Sequence, residues 1–178
     1  MKKIYFVLSY TGTALSKLIK ISTSDEFAHV SIALDENLDE MYSFGRLNPY
    51  NPFFGGFVHE GINHGTFKRF EKTTYTKIYS LEISDYQYKN LKREIKFMNK
   101  FRGKYRFNIL GLFLAKFRLK LNRNSCFYCA EFVKFIIDNA SIPNNLPECT
   151  KPEDFKYMDN VSLIYAGMLR DYKKLEGI

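Results

Sequence analysis

The first hydrophobic run, Ile4 to Ser9 (IYFVLS), has no polar alternation. A short continuous apolar stretch rich in β-formers predicts a buried first strand. Beyond Thr11-Gly12-Thr13, residues Leu15, Leu18 and Ile19 recur at helical spacing, which predicts a short helix with a Thr cap. Ala28 to Leu34 (AHVSIAL) predicts a second strand, Asp35-Glu36-Asn37 a turn, and Glu40 to Phe44 a returning third strand. Residues 45–72, rich in Gly, Asn, Pro and aromatics, read as a long loop insertion. Thr74 to Ile83 alternates as a strand. Ser84 with Gln87 is a capping-box pattern, and Tyr88, Leu91, Ile95 and Met98 form one helical stripe ending at Gly103.

Residues Asn108 to Leu121 begin as a helical apolar stretch and then alternate with Lys116, Arg118 and Lys120. Phe127 to Asn139 predicts an amphipathic helix, and Pro143 and Pro147 bound a loop. Lys151 to Phe155 reads as the first turn of a short helix with Pro near its start, and Val161 to Tyr165 as a last strand. Strands and helices fall in blocks. That order predicts an α+β fold in which an antiparallel sheet packs against helices, with residues 1–178 as one domain.

Composition narrows the functional classes. At 46% apolar and 26% charged residues the chain is an ordinary globular one, which excludes wholesale disorder. A net charge of +8 favours contact with anionic surfaces, and the basic stretch 116–123 (KFRLKLNR) is the candidate docking patch. It carries no nucleic-acid motif, so no specific nucleic-acid partner is expected. Three clustered cysteines are too few for a disulfide framework. With neither a signal-peptide pattern nor a spanning apolar run, the expected location is cytoplasmic.

Chemistry concentrates at two positions. Cys129 begins the amphipathic helix, where unpaired N–H groups and the positive dipole end favour a thiolate nucleophile and can bind an oxyanion. The bland alternative is a small buried apolar residue. His29 opens the second strand and shares a face with small residues, Ser31 and Ala33, so another group has room beside it. A neutral imidazole there could move the thiol proton, or could simply be a satisfied structural histidine. Ser43, on the returning strand, is the candidate to orient His29, with Glu40 as a substitute nearer the turn. Arg46 and Asn48 are placed to contact a carboxylate or carbonyl of a substrate, and Tyr10 is a further substrate-contact candidate. Gly55-Gly56 would let the loop hinge as a lid. A second constellation combines the CxxC of Cys126 and Cys129 with His59 and His64 as zinc ligands, and the same CxxC could be a redox pair.

The segment SDEFAHVSIAL resembles the "s-x-x-S-H-V-G-I" strand of the permuted NlpC-type, papain-like cysteine peptidase superfamily. The branch it resembles is the YiiX-like and lecithin retinol acyltransferase-like one. FYCAEFV resembles that group's "x-x-C-S-E-F-V" helix start, and Thr150 to Phe155 its "t-x-P-x-D-L" element. Tyr10 to Thr23 is similar to the helix that precedes the His strand. The resemblance implies a circularly permuted papain-like fold, with Cys129 as nucleophile and His29 as base. It implies acyl transfer through a thioester on Cys129, with peptide, isopeptide or lipid-acyl substrates and no cofactor or metal. This chain departs from the pattern at Ala28, where the group often has Ser, and at Ser31, where it often has Gly. It also has Ser43 where Glu, Gln or His is usual. A non-catalytic module binding a peptide or lipid in the same cleft is the alternative function.

Overall fold

A computed structural model describes residues 1–13, 16, 25–48, 51–108, 111, 114–115, 117, 119 and 125–172, with side chains omitted for 51–54. Strand β1 (Lys2–Tyr10) is buried continuously from Ile4 to Ser9, because it lies inside the sheet with both faces covered. Around it run β2 (His29–Ala33), β3 (Met41–Asn48), β4 (Asn51–Glu60), β5 (Tyr75–Ile83) and, late in the chain, β8 (Val161–Met168). These six form one sheet in the order β4-β3-β2-β1-β5-β8, every neighbouring pair antiparallel. A separate pair of two-residue strands, β6 (Arg106–Phe107) and β7 (Cys126–Phe127), is parallel.

Alternation along the strands sorts side chains onto two faces. Ile4, Phe6, Leu8, Val30, Ile32 and Phe44 point to the larger core, which is covered by helices α2 (Asp85–Lys100) and α3 (Cys129–Asn139). Tyr5, Val7, Ala33, Met41 and Ile78 point to the other side. There Phe67 of the short helix α1 (Gly65–Arg69) and Leu169 cover them. The architecture is mixed α and β, with an antiparallel sheet packed against helices.

Local signals account for the helix boundaries. Ser84 accepts the Gln87 N–H while the Gln87 side chain accepts the Ser84 N–H, and the stripe residues Leu91, Ile95 and Met98 are buried. Helix α3 starts at Cys129, two residues later than its periodicity predicts, because Cys126 and Phe127 are drawn into pairing with β6. Its N-cap residue, Tyr128, is buried and donates its hydroxyl to the Thr150 carbonyl at 2.9 Å, fixing the start of the helix. Burial raises the Tyr128 pKa, so the hydroxyl stays a donor.

The largest correction concerns residues 45–72. They hold the rest of β3, all of β4 and α1, not a long loop. Gly55 and Gly56 are paired with Arg46 and Gly45 in the ladder, so they are not a hinge. Gly55 is required by close approach: a Cβ there would stand 2.7 Å from the Phe107 ring. Of the helix expected after Thr13, Leu15, Leu18 and Ile19 lie outside the described residues. Its cap is present, since Thr13 Oγ1 accepts the Ser16 N–H at 3.3 Å. Most of the basic stretch 116–123 also lies outside them; Phe117 and Leu119 are exposed. No helix among the described residues is long and apolar enough to cross a membrane.

Candidate active site

His29 is the first residue of β2, and the segment leading into it is clamped. Glu153 accepts the Phe27 N–H at 3.1 Å, and Lys151 pairs with Asp25 at 2.8 Å. Lys151 precedes and Glu153 belongs to a 3-10 turn, Pro152–Tyr157, which is capped by Asp154 accepting the Lys151 N–H at 2.7 Å. The turn is seated in the core by Phe155, whose ring centroid lies 5.2 Å from that of Phe6. The Thr150–Phe155 element therefore anchors the approach to the His29 strand.

The group that holds His29 is Glu60, the last residue of β4, which the sequence reading did not single out. Glu60 Oε1 lies 3.2 Å from His29 Nε2, and Oε2 lies 3.4 Å from the same nitrogen. The Ser31 hydroxyl donates to Oε2. One strand, β3, separates β4 from β2, and the carboxylate reaches across it over Gly45. A Cβ at Gly45 would stand 3.3 Å from Glu60 Oε1 and 3.5 Å from His29 Cε1, so the missing side chain is what opens the path.

Ser43 lies on β3 beside this carboxylate and is fully buried. Its Oγ makes no hydrogen bond among the described residues, although the hydroxyl is near enough to help lower the Glu60 pKa. The orienting bond to His29 Nε2 thus comes from Glu60, not from Ser43. Glu40 is also elsewhere, paired with Lys92 at 2.9 Å.

Cys129, 3% exposed, is brought to His29 because α3 packs across β2 and β3. Its thiol is the second polar neighbour of the ring and helps raise the imidazole's proton affinity. Nε2 is committed to Glu60, so Nδ1 is the nitrogen available to the thiol. Burial pulls the His29 pKa down. The Glu60 charge and hydrogen bond, helped by the nearby Cys129 side chain, outweigh it and push His29 up to about 10. Glu60 is driven the other way. Burial raises its pKa, but the His29 charge and hydrogen bond, with Ser31 and Ser43, hold it below the ordinary carboxylate value.

These opposed shifts fix a pH dependence of stability. His29, raised above its unfolded value of about 6.5, stabilises fully below that pH and loses its contribution as pH rises through about 10. Glu60, lowered, stabilises above its unfolded value of about 4.5 and loses its contribution as pH falls through its folded pKa. The stability difference between wild type and a His29→Ala, Glu60→Ala double variant is therefore expected to peak between about pH 4.5 and 6.5. Urea unfolding across a pH series checks it; a flat difference would contradict the charged pair.

The three residues line one cleft together with Ser9, Thr11 and Arg46. Arg46 is half-buried and donates from Nη2 to Thr13 Oγ1 at 2.9 Å, with its guanidinium carbon 5.7 Å from the Phe70 ring centroid. Burial lowers its pKa, against a smaller raising effect of Glu60. Asn48 is exposed at the far end of β3, and Tyr10 is half-buried in register with Tyr75. Neither lines the cleft. The zinc constellation is not assembled: among the described residues no three His, Cys, Asp or Glu are placed to hold a metal. His59 and His64 instead donate to the carbonyls of Asp39 and His59. Cys126, Cys129 and Cys149 are all free thiols. Comparison of the chain with protein-family models, with curated proteins and with solved structures returns no match.

Proposed function

We propose that the protein is a cysteine hydrolase or acyltransferase that cleaves an amide or ester through a thioester on Cys129, on a papain-like fold of the permuted NlpC type. The observation that carries this reading is His29, held by the buried Glu60 carboxylate and lining one cleft with the Cys129 thiol. That is a nucleophile, a base and an orienting acid in the order the chemistry needs. The chain order also fits the permuted arrangement, with the His strand preceding the Cys helix.

The thiol proton resides on His29 Nδ1, so that Cys129 is a thiolate beside an imidazolium that Glu60 stabilises through Nε2. The Cys129 sulfur then adds to the substrate carbonyl. The new oxyanion is met by the Cys129 backbone N–H at the helix start. Collapse breaks the carbonyl's bond to nitrogen or oxygen, and the leaving group departs with the proton from His29. Water, or another acceptor, gives a proton to His29 and attacks the thioester. The acid or the transferred acyl product leaves, and the Cys129 thiolate and His29 imidazolium are restored. A peptide, isopeptide or lipid-acyl substrate fits this chemistry.

Iodoacetamide labelling tests the reading, with the modified peptide located by mass spectrometry. Cys129 is expected to alkylate rapidly at about pH 6, where an ordinary thiol of pKa about 8.5 is almost wholly protonated. His29→Ala is expected to abolish that rate. Equal, slow labelling of both proteins with an ordinary thiol profile would overturn the proposal.

A further inference from the structure

Arg46, in the wall of the cleft, is a cation without a counter-ion among the described residues. Among the described residues no carboxylate lies within ion-pair distance of it. The nearest acidic influence, Glu60, is already engaged by His29 and Ser31. A guanidinium carries five N–H donors in a planar fork, and the hydrogen bond to Thr13 uses one. Holding such a group half-buried costs free energy unless an anion offsets it.

The neighbouring wall is also built of donors. Thr11, Ser9 and Ser16 contribute hydroxyls to the same cleft. Thr11 and Thr13 converge on Ser16, whose own hydroxyl donates to the Thr13 carbonyl at 2.9 Å. Ser9 Oγ is fully buried, lines the cleft and makes no hydrogen bond among the described residues. Among the described residues, a buried unpaired hydroxyl and a guanidinium without an ion-pair partner lining one cleft mark a place for a ligand's oxygens.

We propose that Arg46, with the hydroxyl of Ser9, forms an anion subsite, and that the substrate carries a carboxylate close to the carbonyl attacked by Cys129. This proposal rests on Cys129 being the nucleophile. A carboxylate matches one planar fork with two parallel hydrogen bonds. A phosphate would bring more negative charge toward Glu60 with one fixed cation to meet it.

The test uses two alkylating reagents of equal reach on the full chain: iodoacetate, which carries the carboxylate, and neutral iodoacetamide. The ratio of their rates at Cys129 is expected to fall about tenfold in Arg46→Gln, the loss of one charge-assisted hydrogen bond. Arg46→Lys should keep part of the ratio. The attraction of His29 for iodoacetate is common to all variants and cancels. Succinate should protect wild-type Cys129 saturably and bind by calorimetry, and Thr13→Val, which removes the anchor of the guanidinium, should weaken that binding. An unchanged ratio in a folded Arg46→Gln protein would overturn the subsite, as would the absence of succinate binding to wild type. Stronger protection by inorganic phosphate than by succinate would overturn its carboxylate assignment. Slow labelling by both reagents while succinate still binds would remove the catalytic reading and leave the anion site standing.

Discussion

Glu60→Gln is expected to lower Cys129-dependent turnover about 10³-fold, while Ser43→Ala lowers it less than about tenfold. The amide keeps the size of the carboxylate but gives up its charge. It then no longer stabilises the imidazolium beside the Cys129 thiolate, and it can turn its NH₂ toward the ring and favour the wrong tautomer. Ser43 touches neither His29 nor any other partner by a hydrogen bond among the described residues, so its loss removes only part of the polar setting of Glu60. Hydrolysis of an activated aryl ester, with folding checked by circular dichroism, measures both. A larger loss from Ser43→Ala than from Glu60→Gln would reverse the assignment of the orienting residue.

Phe132→Ala is expected to cost about 3–5 kcal/mol of stability, lowering the melting temperature on the order of 10 °C. Phe132 lies one turn after Cys129 and is fully buried. Its ring centroid is 5.2 Å from Phe44 and 5.6 Å from Phe57, on β3 and β4. Truncation leaves a cavity among large rings that cannot collapse easily. It also loosens the contact that sets the helix start against the strands bearing His29 and Glu60. Phe135, on the same helix but 37% exposed, provides the comparison: its truncation should cost much less. Chemical denaturation of both variants checks the contrast, and equal losses would contradict the packing described here.

Much of the frame was legible because its signals are local. The unalternating run of β1 announces a buried strand. Ser84 and Gln87 mark a helix start, and the stripe from Leu91 to Met98 marks the face that packs. The positions of Cys129 and His29 were equally readable, from a helix start and from a strand face of small residues. Glu60 was not. Its strand contains Pro52, Gly55 and Gly56, residues that argue for loop when read alone. What requires Gly55 is Phe107, about fifty residues further on, and no local pattern carries that. Ser31 illustrates the same limit. In the sequence it is a departure from the Gly of the resembled motif, whereas in the fold it is a donor to the carboxylate that orients His29. Ser43 was placed correctly on the sheet but given a bond that geometry assigns to its neighbour.

The order of parts along the chain has a consequence for synthesis. His29 and Glu60 both leave the ribosome well before Cys129, and β1 to β5 can begin to pair while Cys129 is still untranslated. The Thr150–Phe155 clamp that steadies the approach to His29, and the Thr150 carbonyl that anchors Tyr128, come later still. His29 and Glu60 are thus laid down first, and Cys129 meets them only after the helix behind it and the turn beyond it have been made. Most of the chain's production is over before the three side chains can line one cleft.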